Sequence, residues 1–159
     1  MVPIPPSSAG ALVLDANVVI AISSKETGRD ALATAEITNY VNLGYQLYAP
    51  GVIVAETLFV LCGKKNSGSL SLADYATAVV TFERVMASVL PPPNGDVSLI
   101  QRAEQIGNGY GCSRSADGIY IALAEELTAT GPTELLTFDQ GCPNQAAANA
   151  PTVTVKVLR

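Results

Sequence analysis

The chain has 159 residues, of which 48% are hydrophobic, 14% charged and 6% aromatic, enough for one domain with one core. Nine Lys and Arg stand against fourteen Asp and Glu, a formal net charge of −5, which argues against a basic nucleic-acid clamp of the usual kind. Histidine is absent altogether, which excludes His-assisted acid–base chemistry, Ser-His-Asp triads and most zinc sites.

In chain order, residues 1–10 read as a flexible N-terminal segment of a single domain spanning 1–159. Leu12, Val13 and Leu14 form a short apolar run ending at Asp15, the pattern of a buried strand. A helix follows over 16–24, and a longer amphipathic one over 29–43 stops at Gly44. Residues 46–49 read as a strand closed by Pro50. Residues 52–62 have helical length and apolar residues on nearly every face, with Gly63 as the expected stop and 64–69 as a polar loop. Ser71 is placed to cap a helix running to about Ser88, with Asp74 three residues on.

Val89 and Leu90 suggest a short strand before three prolines. Helices are expected over 96–108 and 115–128, then a strand over 134–138 ending at Asp139. Residues 145–150 are a loop or short helix, and the β-branched run 153–157 is a final strand. Short strands alternating with long helices predict an α/β three-layer sandwich, a mainly parallel central sheet flanked by helices. No uninterrupted apolar run reaches the roughly 18 residues of a membrane span. Cys62, Cys112 and Cys142 are odd in number and contain no CxxC pair, so neither a disulfide framework nor a zinc ribbon is expected. A reducing cytoplasm is the expected compartment.

Ligands of open parallel sheets bind outside the carboxyl ends of the strands. Asp15 and Asp139 stand at two such ends, each with a polar residue two positions away, Asn17 and Thr137, on the same side of an extended chain. Either Asp also suits the cap of the element that follows. Glu56 has Val52, Ile53, Phe59 and Val60 as its helical neighbours, which predicts a carboxylate on a buried stripe. With no Lys or Arg within seven residues, its charge needs a partner or a ligand from elsewhere. Asp117 suits the first turn of its helix, yet it shares a face with Tyr120, Ile121 and Ala124.

Four carboxylates at one place would repel by about 4 kcal/mol per pair at 4 Å in an effective dielectric of 20. They would require shared protons or a hard cation, and an all-oxygen site favours Mg²⁺ or Mn²⁺ over zinc.

The segments Leu12–Ile20, Leu47–Glu56, Ser115–Glu125 and Leu135–Asp139, in this order, resemble a PIN-domain ribonuclease, and more narrowly a VapC-type toxin of a toxin–antitoxin pair. The resemblance covers essentially the whole chain. It implies that Asp15, Glu56, Asp117 and Asp139 are the catalytic acids that coordinate Mg²⁺ or Mn²⁺, with Asn17 and Thr137 as supporting polar groups. It also implies hydrolysis of RNA, a homodimer, and a cognate antitoxin protein as partner. Arg114, three residues before Asp117, is the best candidate for a phosphate contact; Lys25, Arg29, Lys64 and Lys65 are weaker ones.

The Gly-rich approach 108–112 and the apolar N-terminal segment depart from the family's usual pattern. A haloacid-dehalogenase-type phosphatase would need a second Asp where Asn17 stands. A receiver-type phosphoacceptor would need adjacent acids after the first strand. The remaining alternatives keep the fold: an RNA-binding or partner-binding module with weak or no cleavage, or a housekeeping RNA-processing nuclease.

Overall fold

The computed structural model describes residues 8–113 and 116–159. β1 (Gly10–Leu14) is followed by α1 (Ala16–Ser23), α2 (Arg29–Asn42), β2 (Tyr45–Tyr48), α3 (Val52–Asn66), α4 (Leu72–Met86) and β3 (Val89–Leu90). A single 3₁₀ turn, Val97–Leu99, leads into α5 (Ile100–Gly109), then α6 (Asp117–Thr128), β4 (Thr133–Thr137), α7 (Cys142–Asn149) and β5 (Thr154–Val157). The sheet order is β3-β2-β1-β4-β5 and every pairing is parallel, so the expected mainly parallel sheet is wholly so.

The strand order follows from connection handedness. Right-handed crossovers that move outward from β1 through β2 to β3 put α1–α4 on one face. The return from β3 to β4 and on to β5 puts α5–α7 on the other. Leu12, Val13, Leu14, Leu135 and Leu136 have no exposed surface, as strands covered on both faces require. Ile53 and Leu61 of α3, and Ile121 and Leu123 of α6, are equally enclosed. The direction of travel reverses between β1 and β4, which makes their carboxyl ends the switch point where a crevice opens. Asp15 and Asp139 lie there.

Several boundaries differ from the sequence reading: β1 already begins at Gly10, within the expected flexible segment, α7 covers Cys142–Asn149, and two further differences have a visible cause. α3 runs through Gly63 to Asn66 and takes up half of the expected polar loop. The residue that ends it is Gly68, whose φ of 81° is the left-handed stop; its N–H bonds to the Lys65 carbonyl at 3.1 Å. Gly63 has no such backbone and lies inside the helix at a propensity cost of about 1 kcal/mol. The expected helix over 96–108 starts as the 3₁₀ turn, while Asp96 Oδ1 accepts the Gly51 N–H at 2.8 Å just before α3. Ser71 caps α4 as its spacing predicted, its hydroxyl accepting the Asp74 N–H at 3.0 Å.

α5 and α6 approach closely at Gly118, which is buried. A Cβ there would stand 2.8 Å from the Ala103 carbonyl oxygen. No helix among the described residues is long and apolar enough to cross a membrane. Cys62 and Cys112 are free thiols.

Candidate functional site

Asp15 follows β1 directly, and its own N–H donates to the Leu136 carbonyl of β4 at 3.1 Å. That ladder bond holds the two strand ends side by side. The Asp15 side chain is buried, and Thr137, the last residue of β4, donates its hydroxyl to Asp15 Oδ2 at 2.7 Å. The same hydroxyl oxygen accepts the Asp139 N–H at 3.0 Å and the Asn17 amide at 3.1 Å.

Asn17 completes the arrangement. Its amide nitrogen also donates to Asp15 Oδ2 at 3.2 Å, and its Oδ1 accepts the Phe138 N–H at 3.1 Å. Asp139 turns back on its own backbone, Oδ1 accepting the Gly141 N–H at 2.8 Å. The two polar residues that the sequence set beside the acids therefore fix the orientation of one acid and the backbone of the other. Asp15 caps α1 in backbone geometry only; its carboxylate makes no capping bond.

Glu56 reaches the same end of the sheet from the second turn of α3. The fully enclosed row of that helix is Ile53, Thr57 and Leu61, and Glu56 flanks it, partly buried. The buried stripe is thus narrower than its apolar neighbours imply: Phe59 is 80% exposed and Val52 lies at the surface. Glu56 Oε2 accepts the Tyr120 hydroxyl at 3.2 Å, while Oε1 is buried with no hydrogen-bond partner among the described residues.

Tyr120 is the site residue that sequence reasoning missed, because it reads as one more core residue of α6. Its position one helical turn after Asp117 is the signal that was available. Asp117 itself opens α6, half-buried, above the enclosed Tyr120, Ile121 and Ala124.

Burial pushes the Asp15 carboxyl above its ordinary range, against the lowering effect of the Thr137 hydrogen bond, and the Asp139 charge adds to the rise. Burial likewise raises Glu56, opposed by the Tyr120 hydroxyl and reinforced by the charge of Asp15. The Tyr120 phenol is raised by its burial, then by the charges of Glu56, Asp15 and Asp117. Asp15 thus feels the charge of Asp139, Glu56 feels that of Asp15, and Tyr120 lies within reach of Glu56, Asp15 and Asp117. Among the described residues, however, no three of the acids stand close enough together to form a metal-ligand cluster. Arg114 lies outside the described residues. Lys25, Arg29, Lys64 and Lys65 gather around the α1–α2 turn and the end of α3.

A family model, PIN domain, matches residues 12–148. No curated protein sequence matches the chain. Among solved structures, VapBC2 from Rickettsia felis bound to a DNA fragment from their promoter is similar with a TM-score of 0.62 at 7% identity. That alignment covers 94% of this chain and 99% of the other.

Proposed function

Because the chain belongs to the PIN-domain family, whose model spans all four acids, we propose that it is a metal-dependent endoribonuclease that hydrolyses RNA phosphodiesters. The observation that carries this reading is the buried Oε1 of Glu56, which has no hydrogen-bond partner among the described residues and lies within the field of the Asp15 carboxylate. A buried carboxylate oxygen without a donor costs free energy unless a cation compensates it. Oxygen donors without histidine or thiolate suit Mg²⁺ or Mn²⁺.

Asp15, Asp117 and Asp139 would hold the ion, and Glu56 would complete its surroundings. When bound, such an ion supplies charge neutralisation at the phosphate and Lewis acidity toward its oxygens. The protein's own part is positional. Thr137 and Asn17 fix the carboxylate of Asp15, Tyr120 holds one oxygen of Glu56, and burial excludes water from Asp15.

The partners follow by analogy. The Rickettsia felis neighbour is a VapBC pair, which supports reading this chain as the toxin of a toxin–antitoxin system, silenced by a cognate antitoxin; a cytoplasmic homodimer is part of the same proposal. The second reading is a PIN-fold RNA-binding or partner-binding module without cleavage, favoured by the spacing of the acids, which do not close into a ligand cluster. One experiment decides. A mixed RNA pool is incubated with the protein and Mg²⁺ or Mn²⁺, with and without EDTA, beside an Asp117→Ala variant. Cleavage that requires the ion and is lost in the variant supports the nuclease. Undiminished cleavage by the variant, or none by the natural chain, overturns it.

A further inference from the structure

Four of the chain's nine basic residues, Lys25, Arg29, Lys64 and Lys65, fall in two segments that meet in space, the α1–α2 turn and the last turn of α3. They meet through Glu26. Lys64 Nζ lies 2.7 Å from Glu26 Oε1 and donates to the Ser24 hydroxyl oxygen at 3.1 Å. Arg29 lies 3.6 Å from the other oxygen of Glu26. Within these two segments the acids are Glu26 and Asp30, so cations outnumber them in a chain of net charge −5; Asp74 and Asp139 stand beside Tyr75 and Phe138 at the two ends of the patch. Two other bases, Arg102 and Lys156, are engaged elsewhere, with Glu125 and Glu36.

The patch adjoins the acidic site through Phe138, the residue between Thr137 and Asp139. The Arg29 guanidinium lies over the Phe138 ring, 4.9 Å from its centroid. With 55% of its side chain exposed, Arg29 remains within reach of a ligand. At the far end, the Lys65 ammonium lies 4.8 Å from the centroid of the Tyr75 ring. Lys25 holds a left-handed backbone with φ of 52°, a conformation that costs a lysine of order 1 kcal/mol. Cations interleaved with aromatic rings are the surface chemistry that single-stranded nucleic acid selects: charge for phosphates, flat groups for bases.

We propose that this patch is a backbone track that carries single-stranded RNA to the acidic site, with Arg29 as the phosphate contact nearest the acids and Lys64, Lys65 and Lys25 continuing it outward. The proposal rests on the ribonuclease reading above and adds the route by which the substrate reaches the acids. Glu26 fixes Arg29 and Lys64 in place before RNA arrives, which lowers the ordering cost of binding. A strand held there passes Phe138 and reaches the acids with its phosphates already tracked, which offsets the repulsion of a carboxylate site for a polyanion.

The test is fluorescence anisotropy with labelled single-stranded RNA in EDTA, over a salt series, on the natural chain, Arg29→Gln, Arg29→Lys and Lys64→Gln/Lys65→Gln. Cleavage by the natural chain with Mn²⁺ is measured alongside. The expected result is a loss of about threefold to tenfold in affinity for Arg29→Gln. Its log–log salt slope should become shallower by about 0.7 for each phosphate contact removed. Arg29→Lys should restore the slope, the double variant should lose more, and duplex RNA should bind more weakly than single strands.

RNA bound and cleaved with unchanged slopes in every variant overturns the track and leaves the ribonuclease reading standing. Neither binding nor cleavage of any RNA by the natural chain overturns both. Polyglutamate displacing RNA at equal charge would show that the patch takes an acidic peptide, and also overturns the track. Should Lys64→Gln unfold the turn, Arg29→Gln decides alone, because its side chain is exposed.

Discussion

The Tyr120 hydroxyl donates to Glu56 Oε2 at 3.2 Å and so joins two helices that pack on opposite faces of the sheet. α3 carries Glu56 over one face and α6 carries Asp117 and Tyr120 over the other. Their side chains meet only past the carboxyl ends of β1 and β4. This bond leaves one oxygen of Glu56 served and the other unserved, which gives the acidic group a direction.

Replacing Tyr120 by Phe removes the hydroxyl and keeps the buried ring. The fold should survive, with a stability loss of about 1 kcal/mol. RNA cleavage should fall about tenfold, the rate equivalent of roughly 1.4 kcal/mol, and half-saturation should move to higher Mn²⁺. Single-turnover cleavage across a Mn²⁺ titration reads both.

Asp15 and Glu56 both hold protons more tightly in the folded chain than their ordinary values of 3.8 and 4.5. The folded state then binds more protons than the unfolded one, so this contribution to stability is complete below about pH 4 and is lost as pH rises through the raised values. Metal-free Asp15→Asn should lack the Asp15 share of that loss and melt higher than the natural chain at neutral pH, by order 1 kcal/mol, while its cleavage is abolished. Melting both proteins from pH 4 to 8, with and without Mn²⁺, tests this: the ion should raise the melting temperature of the natural chain more than that of the variant.

Thr137→Ala strips Asp15 Oδ2 of its closest donor and leaves the Asp139 N–H without its acceptor. Such losses cost about 1–3 kcal/mol, and cleavage should fall further than the stability change alone explains. Thr137→Ser, which keeps the oxygen, should recover most of both. Denaturant melts and cleavage rates on the pair separate the hydroxyl from the methyl group.

Gly118→Ala forces a Cβ to within 2.8 Å of a backbone carbonyl that cannot rotate away. α6 must shift off α5, at a cost of about 1–3 kcal/mol, and the shift carries Asp117 with it. Weakened Mn²⁺-dependent cleavage together with a lower melting temperature is the expected outcome, read by the same assays.

The layer architecture was legible because it rests on local patterns: the apolar run ending at Asp15, the strand run ending at Asp139, Ser71 with Asp74, and long helical segments between strands. Helix ends were less so. Gly63 and Gly68 look alike in sequence, and only the left-handed backbone of the second makes it the stop. The spacing of two set Asn17 and Thr137 beside the acids, but not by extended chain as expected: Asn17 lies in α1, and the Thr137 hydroxyl crosses to Asp15 and takes only the backbone N–H of Asp139. Tyr120 did not follow, since its contact with Glu56 spans 64 residues and depends on two helices arriving from opposite faces. The same holds for Arg29 on Phe138, a contact made by a turn folding over a strand end.

The bond from Thr137 to Asp15 joins residues 122 positions apart. During synthesis, β1 can pair with β2 and α3 can bring Glu56 into place long before β4 exists. The carboxylate of Asp15 finds its closest donor only when β4 leaves the ribosome and slots in beside β1. A chain stalled before β4 therefore holds an unassembled centre, and any chemistry of these acids is deferred until β4 has been made. The order of the strands acts as a clock on the site.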